Sequence, residues 1–295
     1  MVVCFLANLF RGVMPNFSIK PMVSMKLSNS DNYQVNAFTN SIKSIQNKKL
    51  EKVGAILVLG KDNISRDSIN LLGQQVPRVL SGKTPYPVMF LNENAKNEFK
   101  SSITSLCKIT SSNNCESTDE VVGKALVTAA KSQINLSMED AKLESFRKIY
   151  ITGHGSSGIP YIYSGDSKFS IKDIVDLLEK NKILDNIKDI RLTCCNSADK
   201  REIRNLSQES IELANRDSSF LENLVYGEKK SLIEKLSSEI WERGYTDVRI
   251  TGYHGKGVFY NKNELPLTHL RSSTIPATET VKRKYLRVTL ESDLD

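Results

Sequence analysis

Two short motifs hold the residues of this sequence that are best suited to chemistry. Gly153-His154-Gly155 follows the apolar run Lys148–Thr152, and Cys194-Cys195 follows the apolar run Asp189–Thr193. Each run is typical of a short buried strand, so an imidazole and a thiol would each lie where a strand ends. A thiol attacks a carbonyl as its thiolate, and a nearby imidazole accepts the proton and returns it to the leaving amine. This pattern predicts a nucleophilic Cys–His pair.

The segment between the two strands predicts how they are connected. Ser170-x-x-Asp173 is typical of a capping box, and the apolar residues around and after it recur at helical spacing. A strand, a helix and a second strand form the usual crossover between parallel strands, which share a carboxyl edge. Ligands and catalytic groups lie at that edge in such sheets. We therefore expect His154 and Cys195 to lie close together.

The atoms that would react follow from the neighbouring residues. Side chains alternate along a strand, so we expect Cys195 to be the nucleophile and Cys194 a core residue, with the reverse assignment still open. Gly155 lacks a Cβ atom and would let a peptide approach, and its N–H would join that of Cys195 in an oxyanion hole. His254 lies in a similar string after a later strand, and we interpret it as part of a turn. No acidic partner of His154 is assigned.

The composition is that of an ordinary globular protein. The 295 residues are 39% hydrophobic and 25% charged, and the net charge of +7 is compatible both with anionic partners and with a role in solubility alone. Five cysteines without a Cys-x-x-Cys pair argue against a disulfide scaffold and a structural zinc site, so no metal is predicted. No aromatic and basic motif supports nucleic-acid binding. The apolar residues 1–14 are too few to span a bilayer, so no membrane span is predicted.

The chain divides into a leader and one folded domain. Residues 1–47 predict a poorly ordered leader or a secretion signal, because Ser and Asn dominate much of this segment. Residues 48–295 alternate apolar runs with amphipathic stretches, which predicts an α/β fold with a mostly parallel central sheet flanked by helices. Residues 199–230 are interpreted as a polar insertion. Residues 256–290 are interpreted as a basic C-terminal antiparallel β-flap, in which 258–260 and 286–290 would pair.

The two motifs resemble those of a known family. Gly153-His154-Gly155 after one strand, and Leu192-Thr193-Cys194-Cys195-Asn196-Ser197 after the next, are similar to the caspase-like cysteine peptidases. They look closest to the autoprocessing cysteine protease domains of MARTX and large clostridial toxins. The resemblance implies a three-layer caspase-like fold with His154 as general base and Cys195 as nucleophile. Cys194 stands where that family usually has glycine.

The resemblance also implies a setting and an activator. It implies a secreted bacterial toxin or effector that cleaves a host protein in the host cell cytoplasm and is activated by inositol hexakisphosphate. A multiply phosphorylated ring needs many cationic side chains, because each phosphate takes charge-assisted hydrogen bonds. Lysines that protect an edge strand from aggregation are the alternative interpretation. The candidate ligands of the phosphates are Lys256, Lys262, Lys282, Arg283, Lys284 and Arg287.

Two other functions remain compatible with the sequence. A thiol-dependent acyltransferase or deamidase would use the same Cys–His pair on a different substrate. A catalytically silent caspase-like fold would instead bind an anionic ligand or a partner through the basic flap.

Overall fold

The computed structural model describes residues 54–61, 67–107, 117–219, 223–225, 227–258 and 265–292, and the predicted leader lies outside these ranges. The strands are β1 (Gly54–Val58), β2 (Val88–Phe90), β3 (Asn135–Ser137), β4 (Lys148–Thr152), β5 (Tyr161–Ser164), β6 (Ser167–Ser170), β7 (Asp189–Leu192), β8 (Arg249–Tyr253), β9 (Lys256–Val258), β10 (Leu270–Ser272), β11 (Val281–Lys282) and β12 (Arg287–Leu290). The main helices are α1 (Ser68–Gly73), α2 (Val76–Leu80), α3 (Glu93–Cys107), α4 (Thr118–Ser132), α5 (Ile171–Lys180), α6 (Ile183–Asn186), α7 (Gln208–Asn215) and α8 (Leu232–Glu242).

Seven strands form one central sheet in the order β12-β8-β7-β4-β1-β2-β3. All neighbouring pairs are parallel except β12 with β8, which is antiparallel at one edge. The predicted α/β class with a mostly parallel central sheet is confirmed. In the described ranges, no helix is both long enough and apolar enough to cross a membrane.

The central strands are buried on both faces. Ala55 and Leu57 of β1 belong to one core with helices α5, α6 and α8. Ile56 and Val58 of the same strand belong to a second core with helices α1 to α4. Because side chains alternate along a strand, a continuous apolar run supplies both cores. Helices therefore cover the two faces of the sheet. The polar residues that follow the strands lie beyond the carboxyl ends of those strands.

The predicted crossover joins the two strands that precede the reactive motifs. A hairpin of β5 and β6 follows β4, and α5 leads back toward β7. The capping box at the start of α5 is present: the Asp173 N–H donates to Ser170 Oγ at 3.2 Å, and the Ser170 N–H donates to Asp173 Oδ2 at 2.8 Å. Strand β7 then pairs directly with β4, with Ile151 opposite Leu192.

The predicted pairing of 258–260 with 286–290 is wrong for the described residues, and residues 259 and 260 lie outside them. Strand β9 pairs with β10, and β10 pairs with β11, in a small antiparallel sheet. Strand β12 pairs instead with β8 of the central sheet, with Val288 opposite Gly252. The reason is that Val288 and Leu290 pack against the core that contains α8. Only the residues before β12 therefore form the separate antiparallel unit.

Candidate active site

Glycine at position 153 allows a tight junction between β4 and the β5–β6 hairpin. The His154 N–H donates to the Tyr163 carbonyl oxygen at 2.7 Å, and the Tyr163 N–H donates to the His154 carbonyl oxygen at 2.9 Å. A Cβ atom at Gly153 would lie 2.7 Å from that Tyr163 oxygen and would overlap Ile162. Glycine is therefore needed for the close approach that fixes the backbone of His154.

An acidic residue that the sequence analysis did not assign orients the imidazole. Asp67 lies just before α1, and its Oδ1 is 2.9 Å from His154 Nε2. Its Oδ2 accepts the Gly165 N–H at 2.7 Å. The Asp67 side chain is 12% exposed and that of His154 is 55% exposed. With Nε2 on the carboxylate, Nδ1 is the ring nitrogen through which His154 would take a proton from a thiol.

The same carboxylate changes the proton affinity of the imidazole. The hydrogen bond to Asp67 raises the pKa of His154 above its ordinary value, while partial burial opposes this increase. A carboxylate favours the imidazolium because the two charges attract. His154 is thus better able to hold a proton received from a thiol.

The two cysteines lie in the turn after β7 in different environments. Cys194 is 2% exposed and belongs to the core, and burial raises its pKa to about 12. Cys195 is only partly buried. Asn196, with φ of +52°, turns the chain, and its N–H donates to the Gly255 carbonyl oxygen at 2.7 Å. Because the thiolate is the nucleophile, these environments favour Cys195 over Cys194.

One cavity of about 300 Å³ brings the reactive groups together. Asp67, His154 and Cys195 line it, and they follow β1, β4 and β7, which are neighbours in the sheet. Gly155 lies against the cysteine turn, since a Cβ there would be 3.1 Å from both Cys194 Sγ and the Cys195 carbonyl oxygen. Its role in an oxyanion hole stays a prediction. The apolar part of the lining consists of Val58, Leu71, Val258, Ile275, Pro276 and Ala277.

His254 belongs to a second Asp–His pair on the other side of β7. It follows β8, and its Nδ1 is 2.6 Å from Oδ1 of the fully buried Asp199. The Gly255 N–H donates to Asp199 Oδ2 at 2.9 Å. Asp199, which was predicted to begin a polar insertion, thus ties the segment after Cys195 to the end of β8. Asp199 is thus not at the surface, and the insertion over 199–230 stays an interpretation of the sequence.

A second cavity, of about 280 Å³, contains most of the predicted phosphate ligands. Lys282, Arg283, Lys284 and Arg287 line it. Lys256 does not, and its ammonium group is 3.0 Å from Glu202 Oε1. Lys262 lies outside the described residues.

Three more cations line this basic cavity, and the sequence analysis missed them. They come from distant parts of the chain: Arg78 in α2, Lys83 after it and Arg191 in β7. No carboxylate stands among the described residues that line the cavity, although the guanidinium of Arg191 pairs with Asp189 outside the lining. This donor set fits a multiply phosphorylated ligand, because each phosphate needs several cationic donors. Within the described ranges, no group of His, Cys, Asp and Glu suited to a metal ion is present.

Comparison with known proteins gave no match to a protein-family model and no match to a curated protein.

Asp67→Asn tests whether this carboxylate controls the imidazole. We expect the pKa of His154 to fall, because an amide cannot stabilise the imidazolium as a carboxylate does. An NMR titration of the three histidine rings measures it, with His269, which lines the basic cavity, as an internal reference that should not change. An unchanged His154 titration would contradict this assignment.

Proposed function

We propose that this protein is a cysteine endopeptidase of caspase-like fold, with Cys195 as nucleophile and His154 as general base. Asp67 is the positioning residue that orients His154. The observation that carries the proposal is the convergence of these three side chains on one cavity at the carboxyl edge of adjacent parallel strands. That edge is where sheets of this type have their catalytic groups.

The proposed reaction follows from these groups. His154 accepts the Cys195 proton, and the thiolate attacks the peptide carbonyl to form a tetrahedral oxyanion. The backbone N–H groups of Gly155 and Cys195 stabilise that oxyanion. The imidazolium then donates its proton to the leaving amine, the C–N bond breaks, and water hydrolyses the resulting thioester. The raised pKa of His154 supports the proton-holding step.

The lining of the site supports a preference for an apolar side chain next to the cleaved bond. Val58, Leu71 and Val258 supply apolar surface in the cavity that Cys195 also lines. Burying a Leu-sized side chain against such surface contributes about 1.5–3 kcal/mol. Asp67 is the only carboxylate in the described lining, and its two oxygens already have partners.

The basic cavity supports activation by inositol hexakisphosphate. Lys282, Arg283, Lys284, Arg287, Arg78 and Lys83 would hold its phosphates, and the ligand would compensate their charge. Arg191 lines the same cavity, but its guanidinium already pairs with the Asp189 carboxylate at 2.7 Å. We further propose, from the resemblance of the two motifs, a secreted bacterial effector that cleaves a host protein in the host cell cytoplasm.

A peptide probe with a thiol-reactive group after an apolar residue tests the peptidase. We expect mass spectrometry to find the probe on Cys195, with faster labelling when inositol hexakisphosphate is present. Cys195→Ala should lower cleavage of a peptide library by about a thousandfold or more, because it removes the nucleophile. Cys194→Ala is the matched control, since that thiol is buried.

The other outcomes of this experiment identify the alternatives. Labelling of Cys194 would transfer the nucleophile role to that residue. Labelling of Cys195 with acylated or deamidated peptides, but no new peptide ends, would show an acyltransferase or deamidase. A folded protein that takes no probe would show a catalytically silent fold.

The basic cavity makes a separate prediction about ligand binding. The double variant Lys282→Gln, Lys284→Gln should bind inositol hexakisphosphate at least about tenfold more weakly, because charged hydrogen bonds contribute roughly 1.5–3 kcal/mol each. Calorimetry at fixed salt measures this loss. Lys256→Gln is the matched control, because Lys256 pairs with Glu202 outside the cavity. Equal losses in the two proteins would contradict the site.

A further inference from the structure

Arg271 is a buried cation beneath the cysteine turn. It lies in β10 and is 1% exposed, and it is among the largest fully buried side chains of the described residues. A guanidinium is costly to bury because it loses its hydration, so its donors need partners inside the protein. The positions of those hydrogen-bond partners show which backbone segments Arg271 stabilises.

The guanidinium of Arg271 joins two segments that flank the nucleophile. Its Nη2 donates to the Thr193 carbonyl oxygen at 3.0 Å, and its Nη1 donates to that of Cys194 at 3.2 Å. The same Nη1 donates to the Gly255 carbonyl oxygen at 3.0 Å. Gly255 O also accepts the N–H of Asn196, the residue after Cys195. Arg271 therefore braces the turn on both sides of the thiol.

The charge of Arg271 has no carboxylate partner in the described ranges. Its hydrogen bonds go to neutral carbonyl oxygens, and its Nε atom is buried without a partner among those residues. Burial lowers the pKa of Arg271 to about 10, which leaves the group charged at neutral pH, and attraction to a Cys195 thiolate acts in the opposite direction. The site thus holds a desolvated positive charge that an anion at Cys195 would compensate.

We propose that Arg271 is a positioning residue for Cys195, which fixes the cysteine turn and electrostatically favours the thiolate. This rests on the proposed role of Cys195 as nucleophile. The contribution is distinct from that of His154, because Arg271 donates from below the turn and exchanges no proton during the reaction.

The rate of alkylation of Cys195 by iodoacetamide, followed by mass spectrometry from pH 5 to 9, tests the proposal without a peptide substrate. Arg271→Met should slow alkylation at pH 7 by roughly tenfold or more, because the thiolate loses its nearby cation. Arg271→Lys should recover part of the rate, since it restores the charge. Leu126→Ala is the matched control: it removes buried contacts in the other core, so it should lower the unfolding temperature and leave the alkylation rate unchanged.

The outcomes separate the proposed role of Arg271 from the proposed role of Cys195 as nucleophile. A folded Arg271→Met protein that is alkylated at the wild-type rate would overturn the role of Arg271. If that variant does not fold, Arg271→Lys against Arg271→Gln decides the question, because both donate hydrogen bonds and only lysine is charged. Equal rates in that pair would also overturn it. If wild-type Cys195 reacts no faster than a free cysteine, the proposed nucleophile fails instead.

Discussion

The parallel pairing of β1, β4 and β7 is the constraint on which the rest of the site depends. Val58 lies opposite Thr152, and Ile151 lies opposite Leu192, so the three strands end at nearly the same level. Asp67, His154 and Cys195 follow these ends, and they line one cavity because the backbone hydrogen bonds leave the strands little freedom to slide. A shift of one residue in register would turn the buried side chains of a strand to the opposite face, which both cores oppose.

Two cations lie close to one aromatic ring at this end of the sheet. Arg271 under the cysteine turn and Arg283 in the basic cavity both lie near the ring of Tyr253, at 5.0 and 4.9 Å from its centroid. The two cations repel, and this repulsion contributes after burial to the lowered pKa of Arg271. A ring face attracts cations, so Tyr253 reduces the cost of keeping them close. An anion in the basic cavity would reduce that repulsion further, which gives the proposed activator a physical connection to the cysteine turn.

Short-range sequence patterns predicted the individual strands and helices, which depend mainly on neighbouring residues. Continuous apolar runs gave the buried strands, and the capping box at Ser170 gave the start of α5. Asp67 was not predictable, because it is 87 residues from His154 and follows β1 in a stretch whose weak helical pattern has no chemical signature. The pairing of β12 failed for a similar reason: alternation identifies a strand but not its neighbour. The cations at positions 78, 83 and 191 are equally scattered, and only the fold collects them.

The side chain of Cys194 gives a second reason for glycine at position 155, which is the packing space between the two residues. The sulfur of Cys194 fills space beside this glycine, where a Cβ atom would lie 3.1 Å from Sγ and from the Cys195 carbonyl oxygen. Such an approach is tighter than most real contacts, so a larger residue at 155 would require the Cys194–Cys195 turn to shift by a few tenths of an ångström. Glycine at 155 therefore suits the packing against this turn, in addition to the peptide approach that we propose for it. The side chain of Cys194 fits at this position because Gly155, its neighbour across the strand ends, has no side chain, and Cys195 lines the cavity.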